Sequence, residues 1–99
     1  MAQFDFRGDL WEHGSTSPGS WHFVTIPGGL ADDIIGEAGQ RNAFGSIRVE
    51  ATIGTITWRT SLFPDKARGS LLLPLKKQVR SIEDLSDGSP CHVALSILN

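Results

Sequence analysis

Thiols are nearly missing from this sequence: Cys91 is the single cysteine, so an intrachain disulfide is excluded and nothing staples the fold. Long apolar stretches are missing too. The longest run, Leu71 to Leu75, contains Pro74 and is far shorter than the roughly 20 residues a membrane-crossing helix requires. Charge of one sign is not in excess, since 9 Lys and Arg stand against 11 Asp and Glu, and a net charge of −2 argues against a protein governed by nonspecific attraction to nucleic acid. Met1 to Arg7 has no basic-then-apolar signal pattern, and no low-complexity tract, internal repeat or disordered tail is visible. These absences lead to the expectation of a cytoplasmic protein with no membrane among its partners.

What is present is a chain of 99 residues, 39% hydrophobic, which predicts one domain over residues 1–99. At that size only about two-thirds of the unfolded surface is buried, so nearly every long apolar side chain is needed for the core and no large cofactor cavity is expected. The charges are segregated. Residues 1–50 carry three Arg against seven acids, whereas Arg59, Lys66, Arg68, Lys76, Lys77 and Arg80 meet only Asp65 between positions 58 and 80.

Apolar residues on the even positions of Gln3 to Trp11 predict a strand, with Gly8 in phase as a bulge or a close backbone approach. Residues 12–19 read as a loop, and Ser20 to Ile26 as a second strand stopped by Pro27. Leu30, Ile34 and Ala38 recur at helical spacing, with Asp32 and Asp33 placed near the helix start. Alternation from Ile47 to Ile53 and from Ile56 to Leu62, around Gly54-Thr55, predicts a hairpin with a type II′ turn. A Pro64-Asp65-Lys66 loop then leads to the short strand Ser70 to Leu73, and Pro74 is expected to open a second helix near 74–81. Leu75, Val79 and Ile82 fall on one side of that helix and Lys76, Lys77 and Arg80 on the other. After Asp87-Gly88, alternation from Cys91 to Leu98 predicts the last strand, with Phe6, Val49, Ile53, Val93 and Leu95 buried.

Constellations for catalysis are weak. Cys91 and His92 are neighbours on a strand and point to opposite faces, so they cannot share a proton directly. No Gly-x-Ser-x-Gly elbow is present, and His13, His22 and His92 lack zinc-site spacing. Gly28-Gly29 lacks the Lys and Ser/Thr of a phosphate loop and reads as a strand-to-helix corner. The cationic helix face stands out instead. Cations in a first helical turn oppose the macrodipole at about 0.3–1 kcal/mol each, so stability alone would not select them. Either they form a solvated face paired with acids of residues 1–50, or they hold a phosphate, a carboxylate or an acidic partner. Trp21 and Trp58 each lie on an alternating apolar face and read first as core residues, with an indole stacking on a ligand at a barrel mouth as the alternative.

Several phrases occur in a fixed order: Gly19-Ser20-Trp21-His22-Phe23-Val24 with Pro27, Gly45 with Ile47-Arg48-Val49 and Thr52-Ile53-Gly54, Trp58-Arg59-Thr60-Ser61-Leu62 with Pro64, and Leu73-Pro74-Leu75-Lys76-Lys77-Gln78-Val79-Arg80. Together they resemble a bacterial family of domains of unknown function, the one numbered nineteen-oh-five. The resemblance implies a small β-barrel with capping helices, sometimes found beside a domain associated with bacteriocin protection, and no established catalytic activity. Where the family has Gly-Asp before its last strand, this chain has Asp87-Gly88-Ser89-Pro90. The order of elements from Leu71 to Ile97 also resembles the swapped hairpin of AbrB-like regulators, which bind DNA as dimers.

The expected fold class is therefore all-β: a closed or nearly closed six-stranded barrel with two short capping helices. The expected function is a non-enzymatic binding or interaction module, monomeric or homodimeric, for a small anion or an acidic protein partner. Its site is expected at Lys76, Lys77, Arg80, Arg59, Trp21 and His22. No catalytic residue, metal or cofactor is assigned. A DNA-binding regulator is the alternative, with nucleic acid the less favoured partner; an enzyme acting on a small anion comes third, without a residue pair to carry turnover.

Overall fold

The alternation between Ile47 and Leu62 becomes a hairpin in the computed structural model, which describes residues 3–13, 21–39 and 45–98. Its arms are β3 (Ile47–Ile53) and β4 (Ile56–Asp65), paired from Ile53↔Ile56 to Ile47↔Leu62. Gly54 takes φ 56 while Thr55 keeps a negative φ, the combination a type II′ turn needs. The Glu83 carboxylate caps this turn, accepting bonds from the Thr55 backbone N–H (3.2 Å) and hydroxyl (2.9 Å).

The remaining strands are β1 (Gln3–His13), β2 (Trp21–Thr25), β5 (Ser70–Pro74) and β6 (Pro90–Ile97). All pairings are antiparallel, and the ring closes in the order β1-β2-β5-β4-β3-β6. Two long strands serve two neighbours each. Residues 3–9 of β1 pair with β6 and residues 10–13 with β2. Likewise β4 pairs with β3 up to Leu62 and with β5 from Phe63 onward. Closure covers most strand edges; an unpaired side remains at the start of β2 and on β4 before Phe63.

Two helices lie at opposite ends of the barrel. Helix α1 (Gly28–Ala38) follows β2, buries Ala31 and Ile34, and packs against both β5 and β6. Those strands are three places apart in a ring of six, so α1 spans the mouth. Asp32 and Asp33 lie beyond its first turn and gain nothing from the dipole there, contrary to the sequence expectation. Helix α2 (Lys77–Ile82) follows β5 and buries Val79. Its end is a Schellman motif: Asp84 turns left-handed at φ 53, and the N–H groups of Leu85 and Asp84 donate to the carbonyls of Arg80 and Ser81.

Several local expectations need correction. Glu12 and His13 belong to β1 and not to a loop, because they pair across to His22 and Trp21; positions 14–20 of that loop and strand start lie outside the described residues. Pro64 and Asp65 extend β4. The Leu71 carbonyl accepts the Ile26 N–H, so it faces β2 and the Pro64↔Leu71 pair carries no ladder bond that the proline could break. Pro74 ends β5, opposite Phe23, and does not open α2. Ile82 is 52% exposed because the chain reverses at Asp84 and Leu85 packs on the core in its place. Phe6 is only half-buried. Aliphatic side chains, Cys91 and Trp58 fill the narrow interior, and the Phe6 ring stays at its margin, while Val49, Ile53, Val93 and Leu95 are buried as expected.

Candidate ligand-binding site

The site originates in the way β5 stops. Up to Pro74 it lies between β2 and β4; the Leu75 N–H then donates to the His22 carbonyl (2.9 Å) and the chain turns away into α2. Past that point Trp21 and His22 of β2 face Trp58, Arg59 and Thr60 of β4 with no strand between them, and the start of α2 lies over the gap. The result is a concavity of ≈ 440 Å³, which Phe63, Pro74 and Leu75 also line.

All six residues singled out in the sequence line it: Lys76, Lys77, Arg80, Arg59, Trp21 and His22. They differ in how firmly they are held. The Arg80 Nε–H donates to the Leu75 carbonyl (3.2 Å), so this guanidinium is anchored. It sits in the last turn of α2, where the dipole favours a cation, and the expected conflict applies to Lys76 and Lys77 alone. Arg59 pairs with Glu50 at 3.7 Å across the β3–β4 ladder, with both side chains largely solvated. Lys76 and Lys77 are exposed and have no carboxylate within ion-pair distance among the described residues. With only six residues, α2 is too short to present an anion site at its backbone, so any anion here is held by side chains.

His22 and Trp21 point to opposite sides of β2, as strand neighbours must. The His22 side chain is 12% exposed, on the same face as the buried Val24 and Ile26, with Nε2 3.8 Å from the carboxylate of its cross-strand partner Glu12. Its Nδ1 is buried without a hydrogen-bond partner. Trp21 is 59% exposed and lies nearly parallel to Phe23, at 6.1 Å and 6°. The two tryptophans thus divide: Trp58 is core, with its edge at the floor of the concavity, and Trp21 is a wall. Sequence reasoning missed Phe63, whose only signal was its being in phase with Arg59 and out of phase with Trp58 and Leu62.

Cys91 and His92 lie elsewhere, and on opposite faces: Cys91 is buried opposite Gly8, and His92 is exposed. Burial pushes the Cys91 thiol above its ordinary range, Asp9 adds to this, and a backbone hydrogen bond opposes it. The folded state therefore favours the neutral thiol, and that contribution to stability is full below the unfolded pKa of about 8.5 and is lost as pH rises through the higher folded value. Alkylation by iodoacetamide at pH 8 is expected to be at least about tenfold slower in the native protein than in urea. Between pH 8.5 and 10 the wild type is expected to lose more thermal stability than Cys91→Ala. Fast modification of the native thiol, or parallel pH profiles, would contradict its burial.

Among the described residues no three His, Cys, Asp or Glu side chains come together as a metal site requires, and no helix is long and apolar enough to cross a membrane. The stretch resembling a swapped hairpin, β5 to β6, consists of two strands that are not neighbours in a ring closed within one chain. No curated protein matches the sequence. Residues 6–95 match the family described as a domain of unknown function, DUF1905, and because the match covers nearly the whole barrel, the chain belongs to that family.

Proposed function

We propose that the protein is a non-enzymatic binding module that takes an anionic ligand in the concavity where β5 leaves the barrel. The observation that carries this reading is the meeting of Lys76, Lys77, Arg80 and Arg59 on one concave surface, with two of the four cations unpaired among the described residues. A volume of ≈ 440 Å³ favours a small anion over a protein surface, and lies in the range of about 300–1,000 Å³ usual for ligand pockets. The alternative of a duplex-DNA regulator draws no support from the stretch that suggested it, because β5 and β6 are not neighbours in the ring.

Titration with inorganic phosphate at low ionic strength, followed by amide chemical shifts, tests the proposal. Shifts are expected at Trp21, His22, Arg59 and residues 75–80. The double substitution Lys76→Ala/Lys77→Ala is expected to weaken phosphate binding about tenfold, two charge-assisted contacts being removed. Both side chains are exposed and unpaired, so the melting temperature should stay within about 2 °C of wild type. Absence of any shift in the wild type would sink the proposal. A large fall in melting temperature would make the lysines structural instead.

A further inference from the structure

A site for a bare inorganic anion needs cations and polar donors, but this concavity also has aromatic walls. The described residues include three large hydrophobic side chains that are clearly exposed, Trp21, Phe63 and Ile82, and two of them line this one surface. Trp21 is 59% and Phe63 42% exposed. They stand on β2 and β4, diagonally on either side of Pro74: the registers place Trp21 level with Arg59, and Phe63 four residues further along β4. Phe23 stacks on Trp21 and fixes the plane of the indole before any ligand arrives. Lys76, Lys77 and Arg80 complete the rim.

We infer that the ligand is a planar aromatic anion of nucleoside-monophosphate class, its ring stacked on Trp21, its phosphate at Lys76 and Lys77, and Phe63 lining the far end of the hollow. This rests on the reading of the concavity as an anion site and adds the class of the anion. A single nucleotide suits ≈ 440 Å³, and the overall charge of −2 with an acid-rich first half works against a long polyanion.

The test is a set of titrations of the intact chain with the four ribonucleoside 5′-monophosphates, the matching nucleosides and inorganic phosphate, read by amide chemical shifts at fixed ionic strength. At least one nucleotide is expected to bind about tenfold more tightly than both phosphate and its own nucleoside, toward the lower end of what stacking one base contributes. Trp21→Ala is expected to reduce that nucleotide to the affinity of phosphate while phosphate binding persists, and Trp21→Phe to retain most of the advantage. Exposure of Trp21 allows both variants to fold, which their melting curves verify. Phosphate binding with no gain from any nucleotide would overturn the ligand class and leave the anion site standing; no binding of any of them would overturn both. An unchanged nucleotide affinity in Trp21→Ala would overturn the stacking. A thymidine oligonucleotide binding far more tightly than any mononucleotide would make the ligand a strand and overturn the inference.

Discussion

Val93→Asp is expected to unfold the protein at room temperature. Val93 is 3% exposed on the inner face of β6, opposite Phe6, and among the described residues the interior contains no charged side chain and only Ser46 as a buried polar one. A carboxylate placed there would lie among apolar side chains, with no charged group inside the barrel to pair with it. The cost of burying such a group is several kcal/mol even if it takes up a proton, and the apolar contacts of valine are lost as well. A domain of this size has roughly 5–15 kcal/mol in total. Circular dichroism should show the loss of the β spectrum and of a cooperative melt, whereas Val93→Ile should melt close to wild type. A folded aspartate variant would mean that Val93 is not inside.

Gly8→Ala, although a gain of a single methyl, is expected to cost about 2 kcal/mol, or roughly 10 °C in melting temperature. A Cβ at position 8 would lie 2.7 Å from Val24 Cγ1 and 3.2 Å from the Thr25 carbonyl oxygen. Neither neighbour can yield easily: Val24 is fully buried, and the carbonyl belongs to the backbone of β2. The usual gain of about 0.5–1 kcal/mol from replacing a strand glycine with alanine is smaller than that strain. The second measurement is Val24→Ala, which alone leaves a cavity, and the pair Gly8→Ala/Val24→Ala. Because the new methyl and the removed one compete for one space, the double variant should be clearly more stable than the sum of the single effects predicts. Additive costs would show that the two positions do not touch.

The backbone was most legible where one strand's pattern decides its own partner. Between Ile47 and Leu62 the alternation, the Gly54 turn and the pairing are all local, and the hairpin follows from them. Gly8 also announced a close approach, although nothing nearby in the sequence named Val24 as its neighbour. Legibility ended where geometry depends on distant chain. Pro64 and Asp65 carry strong loop propensity, but β5 supplies their pairing and the hydrogen-bond parity spares the proline. Ile82 shares an apolar wheel with Leu75 and Val79, but Leu75 precedes the helix, and after the reversal at Asp84 it is Leu85 that packs on the core. Charge and aromatic content pointed to the six site residues one by one. That they surround one hollow depends on where β5 stops between β2 and β4, a fact of the ring and of no single segment.

Strand β6 pairs with β1 on one side and with β3 on the other. Taken in the order of synthesis, the five earlier strands form an open sheet, β1-β2-β5-β4-β3, with two bare edges of seven or more residues each. Such edges invite pairing with other chains. Both are removed by one event, the docking of residues 90–97, and that event requires contact between segments separated by nearly the full sequence, as in Gln3↔Ser96. Folding speed is thus tied to a single distant closure, and the time before it is the interval in which copies of this chain are most apt to aggregate.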